Sequence, residues 1–209
     1  MSRGYREGMD LMQPVTLTGD LVRLEPLSLE HEEGLAEAVR DGELWRLWYA
    51  NVATPEGMRA EIERRLALQE AGRMLPFATR SLRDGRLIGM TSFMNVDPSI
   101  PRTEVGSTWN AASTHGSGVN AESKLLLFTH AFETWGVSAV EIRTSWQNTR
   151  SRAAIERLGA KLDGVLRQHM RTRDGSLRDS CVYSIVAAEW PQVRSSLLFR
   201  LGKDVLADD

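Results

Sequence analysis

The chain has 209 residues and a formal net charge of -2, a length that suits one domain with a sizeable core. Its near-balanced charge excludes a strong electrostatic pull toward nucleic acid or an anionic membrane. The single cysteine, Cys181, excludes an intrachain disulfide and a cysteine-rich metal site. No apolar run approaches the ~20 residues of a membrane span, and residues 1–10 lack the apolar stretch of a secretory signal. The expectation is therefore a cytoplasmic protein with no metal.

Residues 1–12 read as a loose arm ahead of a single domain over residues 13–209. Residues 15–24 alternate as a strand that Pro26 ends. Ser28 suits the N-cap of a helix over residues 29–40, with Glu30, Glu32 and Glu33 in its favourable first turn. Residues 44–50 form a compact aromatic segment containing Trp45, Trp48 and Tyr49. Thr54-Pro55 is a second helix start, an N-cap followed by Pro at N1, and that helix carries Met58, Ile62, Leu66 and Leu68 before Gly72.

The period then changes to two. Leu75, Phe77 and Thr79 share a strand face, Asp84-Gly85 marks a hairpin, and residues 87–95 return. Pro98 and Pro101 precede another strand over residues 103–110. After a Ser/Gly-rich loop, Ala121, Leu125, Phe128, Phe132 and Trp135 line one broad helical face that Gly136 ends. Val140, Ile142, Thr144 and Trp146 alternate with Glu141, Arg143 and Ser145 as a half-buried strand. Asn148 opens a short helix closed by Gly159. Strands over residues 161–171 and 177–187 meet at Asp174-Gly175, and a last helix spans residues 189–201. Cys181, Tyr183 and Ile185 alternate on one face, which makes Cys181 a buried thiol. The arginine-rich stretch 167–178 reads as a solvated hairpin. The fold class is mixed α/β, with a mostly antiparallel seven-stranded sheet and helices on both faces.

The informative stretch is residues 109–122, WNAASTHGSGVNAE. A strand ends, two glycines flank Ser117, and a helix starts at once. Glycines let backbone N–H groups converge, and the helix N-terminus adds unpaired donors and partial positive charge, so the site suits a phosphate. The same pattern also describes an ordinary loop and helix start.

In combination with other segments it resembles the GNAT N-acetyltransferases, in particular their RimJ/RimL-like branch. The resemblance runs from Val22-Arg23-Leu24-Glu25-Pro26-Leu27 to Glu189-Trp190. Its most specific parts are Glu104-Val105-Gly106, the run from Gly116 to Glu122, Asn148 to Arg152, Leu158-Gly159-Ala160, and Asp179 to Tyr183. The family's phosphate motif usually opens with Gln or Arg, where this chain has Ser113, and His115 stands where an aromatic often precedes the first glycine. The resemblance implies a splayed central strand, with the pantetheine of acetyl-CoA in the gap. It implies CoA contacts from Trp109, Asn110, Ala111, Ser113, His115, Gly116, Ser117, Gly118, Val119, Asn120, Asn148, Ser151 and Arg152. For Asn148 a plain N-cap role stands beside the ligand role.

Acetylating an amine requires a neutral nucleophile, close positioning, an oxyanion stabiliser and a proton for the leaving thiolate. The resemblance implies Glu104 as the base and Ser151 as the acid, with Tyr183 as another hydroxyl donor. Glu104 also reads as a solvent-facing carboxylate, and His115 and His169 are other imidazole candidates. Trp45, Trp48 and Tyr49 are expected to wall the acceptor cleft or to pack in the core. An α-amine, with a pKa near ~7.7–8.0, needs less help to deprotonate than a lysine near ~10.4. A protein N-terminal α-amine is thus the favoured acceptor, with a small-molecule amine and a catalytically weak CoA-binding module as alternatives. A homodimer through the C-terminal strands and last helix is a further expectation.

Overall fold

The computed structural model describes residues 10–97, 99–172 and 174–205. Eight strands form one sheet in the order β1-β2-β3-β4-β5-β6-β8-β7. They are β1 (Leu17–Thr18), β2 (Val22–Pro26), β3 (Met74–Ser81), β4 (Leu87–Met94), β5 (Arg102–Asn110), β6 (Ala139–Ser145), β7 (Lys161–Arg171) and β8 (Leu177–Val186). The helices are α1 (Glu32–Arg40), α2 (Met58–Glu70), α3 (Val119–Thr129), α4 (Thr149–Glu156) and α5 (Trp190–Arg200). The β5–β6 pair is parallel and the other pairs are antiparallel.

The mixed α/β class expected from the sequence is the one observed, with one strand more. The expected strand over residues 15–24 is two, because the chain turns between Thr18 and Val22 and pairs β1 back on β2. Buried Glu122 holds that turn by accepting the N–H groups of Asp20, Leu21 and Val22. The first helix is preceded by a separate 3-10 turn at Leu29–His31, whose N-cap is Ser28. Thr54-Pro55 forms a turn in which Thr54 Oγ1 accepts the Gly57 N–H, and α2 starts only at Met58. After α3 the chain widens into a π-helical stretch, His130–Trp135, which Gly136 closes. Trp146 lies past the end of β6 and is exposed, not on the buried strand face.

The strands bury both faces. Phe77, Phe93, Val105, Val140 and Tyr183 join Phe128 of α3 and Leu197 of α5 in the larger core. Ala78, Met90 and Trp109 pack on the other face with Leu35, Val39, Met58 and Ile62. Such two-sided cover is what lets a parallel pair sit at the centre of a sheet. Cys181 is fully buried, and burial pushes its thiol up. Of the expected arm, residues 1–9 lie outside the described residues, whereas Leu11 is buried in the larger core.

Candidate active site

The centre of the sheet opens where β5 and β6 part. Their register is Arg102↔Ala139, Thr103↔Val140 and Glu104↔Glu141, and pairing stops there while both strands continue. A bulge in β5 turns the strand at that point. Between Met90 and Ser92 of β4 lies one residue, but between their partners Trp109 and Gly106 lie Ser107 and Thr108. Ser107 takes the left-handed conformation, at φ 49°, which a non-glycine residue adopts at some cost. Arg65 of α2 holds it there, donating to Ser107 O at 3.0 Å and to Ser92 Oγ at 3.1 Å.

Glu104 is the last rung before the gap. Strand alternation puts Val105 in the larger core, so Glu104 faces the α1–α2 layer. Its residue exposure is 5%. Asn95 Nδ2 donates to Oε2 at 2.8 Å, and Arg143 Nε lies at 3.7 Å but is bonded to Glu141. Burial, which outweighs Arg143 and is reinforced by Glu141, pushes the Glu104 carboxyl up to about 7. Gly106 keeps room for this group: a Cβ there would stand 2.9 Å from Glu104 Oε1. A carboxylate poised near neutrality can exchange a proton with an amine.

At the other end of β5 the loop is anchored before it reaches the glycines. The Ser113 N–H donates to the Asp41 carboxylate and the Ala112 N–H to Asp41 O. The Ala111 N–H donates to Ile88 O, and Ser117 folds back with both its N–H and its hydroxyl on Thr114 O. Gly118 has φ +90°, and a Cβ there would meet Leu21 at 3.1 Å. Glu122 is the first α3 residue whose N–H bonds back, to Gly118 O. The N–H groups of Gly116, Gly118, Val119 and Asn120 have no acceptor among the described residues. Unpaired donors at the start of a helix suit an anion. Ala111, Ser113 and Ser117 thus have their N–H groups engaged within the protein. Trp109 is buried in the smaller core and offers only backbone.

Asn148 is the N-cap of α4, with Oδ1 accepting the Ser151 N–H at 3.0 Å. Its Nδ2 and the Ser151 hydroxyl have no hydrogen-bond partner among the described residues. The Arg152 guanidinium lies over the Trp146 ring at 4.1 Å and donates to Tyr183 Oη at 3.3 Å. Tyr183 is fully buried, donates to Glu156 at 2.9 Å, and is pushed up mainly by burial. Burial holds the His115 imidazole below its ordinary value, and His169 pairs with Ser180 Oγ at 3.0 Å.

The aromatic segment divides. Trp45 packs against the smaller core, whereas Trp48 is 57% exposed and meets Tyr49 edge-on at 5.6 Å. Arg178 reaches across from β8 to donate to Tyr49 O at 2.9 Å, so this segment and the β7–β8 hairpin meet. Arg178 is not the solvated arginine that its stretch suggests. Its Nε is buried without a hydrogen-bond partner among the described residues, and desolvation pulls its pKa down.

Sequence reasoning passed over Asn95, Arg65, Asp41 and Lys124. The last is buried beneath β5. Two of them had a signal. Arg65 stands three residues after Ile62, and Lys124 three after Ala121, each a charge set within its helix's apolar stripe.

The match to known proteins agrees with this geometry. The family model described as the acetyltransferase (GNAT) domain matches residues 22–161. The chain belongs to the GNAT family. The matched domain, described as an acetyltransferase domain, places the chain among the acyltransferases. A ribosomal N-acetyltransferase by name, YdaF of Bacillus subtilis (strain 168), is 34% identical over 109 residues. That match covers 52% of this chain and 58% of the relative, so the chain spans little more than half of that protein's length. A crystal structure of an acetyltransferase from T. thermophilus is 38% identical, with a TM-score of 0.79 over 90% of this chain and 98% of its own. Mycobacterium smegmatis RimJ, solved with CoA-disulfide, is 22% identical. It shares the fold, with a TM-score of 0.76 over 92% of this chain and 97% of its own. Among the described residues no helix is long and apolar enough to cross a membrane.

Proposed function

We propose that this GNAT protein moves the acetyl group of acetyl-CoA to a primary amine, with a protein N-terminal α-amine as its acceptor class. The observation that carries the reading is the coincidence, at one point of β5, of the strand gap and a buried carboxyl near neutrality. The loop into α3, which starts at Gly116, 12 residues beyond Glu104, supplies the anion cradle that the CoA pyrophosphate requires. The name of the B. subtilis relative and the CoA-bound RimJ fold support the donor and the acceptor class.

When bound, acetyl-CoA supplies an acetyl group activated as a thioester. The chain's residues do the rest. Backbone along residues 108–110 offers the unpaired edge of β5 to the pantetheine, and Asn148 Nδ2 and the Ser151 hydroxyl, without a partner among the described residues, are available at the start of α4 for further polar contacts. Glu104 takes the proton that the attacking amine must lose, its carboxyl poised at about 7. Ser151 returns a proton to the departing sulfur. Exposed Trp48 and half-buried Tyr49 form an aromatic wall beside Arg178, suited to the residues that follow a peptide N-terminus.

A CoA-release screen over peptide N-termini, lysine side chains, polyamines and aminoglycosides, with mass measurement of the products, tests this. Release with peptides and acetylation at the α-nitrogen is expected. Turnover confined to polyamines or aminoglycosides overturns the acceptor class. Thermal stabilisation by acetyl-CoA with no transfer to any amine overturns the enzymatic reading in favour of a CoA-binding module.

A further inference from the structure

The bulge that opens the gap is gripped by one cation from each helical layer, and the two differ. On the α2 side, Arg65 is bonded to Glu61 of its own helix at 2.7 Å, so its charge is matched. On the α3 side, Lys124 Nζ lies 3.0 Å from Thr108 Oγ1, its one hydrogen-bond partner among the described residues. Thr108 Oγ1 lies 2.8 Å from Thr91 Oγ1 and reaches Gly106 O at 3.4 Å.

Among the described residues, nothing charged answers Lys124. Glu122 of the same helix is bound to the β1–β2 turn and to Lys203. From β4 and β5 the facing groups are the hydroxyls of Thr91 and Thr108, and the carboxylate of Glu104 points into the opposite layer with Asn95. His130, further along the same helical run, packs among Phe93 and Trp135. Burial alone pushes the Lys124 ammonium down to about 7. A buried amine without a counter-charge is costly, and an apolar side chain would fill the place at lower cost. The position of Thr108 gives that cost a use: it is half-buried beside the bulge, on the stretch of β5 that has no β6 neighbour.

We propose that Lys124, acting through Thr108, is a positioning residue that stabilises the CoA thiolate set free in the strand gap. The proposal rests on the acetyl-CoA reading above. As the amine nitrogen bonds to the acetyl carbon, the carbon–sulfur bond breaks and its electron pair stays on sulfur, while the amine proton passes to Glu104. Negative charge therefore appears in the gap. Because Thr108 Oγ1 accepts from Lys124, its own proton, which otherwise goes only to Gly106 O at a long 3.4 Å, can turn to the sulfur. The thiolate's charge in turn holds the proton on Lys124, so an ammonium lies one hydroxyl away and balances it without touching it.

The test measures the thiol of bound CoA, not turnover. Ultraviolet thiolate absorbance titrates CoA in its binary complex with the wild type, with Lys124→Met and with Thr108→Val. Calorimetry with desulfo-CoA, which lacks the thiol, reports the binding of everything else. The wild type is expected to hold the thiol below its value in free CoA. Each variant is expected to raise it by about one unit, with desulfo-CoA affinity unchanged. A thiol pKa that is the same in all three proteins overturns the proposal. So does an equal loss of CoA and desulfo-CoA affinity, since a purely structural role would produce it. Failure of the wild type to bind either ligand overturns the acetyl-CoA reading itself.

Discussion

Two buried carboxylates, Glu122 and Glu104, are treated in opposite ways by the fold. Glu122 accepts three backbone N–H groups from the β1–β2 turn, at 2.6 to 3.1 Å, and an ion pair with Lys203 at 2.8 Å. Despite its burial, the Lys203 bond and those backbone donors hold it below its ordinary value. Glu104 has one amide donor and a more distant arginine already bonded elsewhere, and it rises to about 7. The residue type is the same and both are closed to solvent, but Glu104 is the more deeply desolvated and has the fewer donors. Together these differences separate a carboxylate that fastens two elements from one that can exchange a proton.

The comparison is broken most severely by Glu104→Gln. If Glu104 is the base, kcat/KM for the amine acceptor should fall by about 10²- to 10⁴-fold. The wild-type profile should rise with pH through about 7, and that limb should vanish in the variant. Stability should move the other way. A carboxyl raised in the folded state binds protons that the unfolded chain has released, so stability declines as pH rises from 4.5 to about 7 and is level above. Glu104→Gln removes that decline, and denaturant melts at pH 8 should show the variant at least as stable as the wild type. An unchanged kcat/KM profile would return Glu104 to a structural role.

The Glu122 side is tested by Glu122→Ala, which leaves three backbone donors and Lys203 without their shared partner. A loss of about 3 kcal/mol in denaturant unfolding is expected. The sign of its pH dependence opposes that of Glu104. A carboxyl depressed in the folded state stabilises fully above its ordinary value of 4.5, and this contribution fades as pH falls below it. The wild type should therefore lose its advantage over Glu122→Ala on acidification. Equal losses at pH 7 and pH 3 would show that packing, not the ion and its donors, holds the turn.

Much of this contrast was hidden in the sequence for a physical reason. The alternation of Leu75, Phe77 and Thr79, and the glycines ending α3 and α4, report local periodicity and backbone conformation, so the sheet and its crossovers could be read directly. Glu104 and Gly116 to Asn120 were legible as a candidate site because adjacent residues make it. The bulge was not, since Ser107 has nothing in its type that demands a positive φ; the demand comes from Arg65, which is 42 residues away. Arg178 stood in a stretch that suggested solvent and Lys124 was passed over, and only the packing of the β7–β8 hairpin against Tyr49, and of α3 beneath β5, shows both out of it. The split of β1 from β2 likewise depends on Glu122, about 100 residues downstream.

The smallest effect lies at Asn148, where one side chain offers two polar atoms whose roles can be separated. Oδ1 caps α4 by accepting the Ser151 N–H, while Nδ2 has no partner within the described residues. Asn148→Ala removes both and should cost about 1 kcal/mol of stability, the ordinary value of an N-cap. Asn148→Asp keeps an acceptor for Ser151, and with it the cap, but replaces the amide donor with a carboxylate. If Nδ2 holds a carbonyl of the pantetheine, this variant should match the wild type in denaturant melts and yet bind CoA about tenfold more weakly, since one hydrogen bond is worth about 1 kcal/mol and the added charge faces an acceptor. Calorimetry on the two variants separates the roles. Equal CoA affinity in wild type and Asn148→Asp would leave Asn148 as a helix cap alone, and would move the weight of pantetheine recognition onto the backbone of β5.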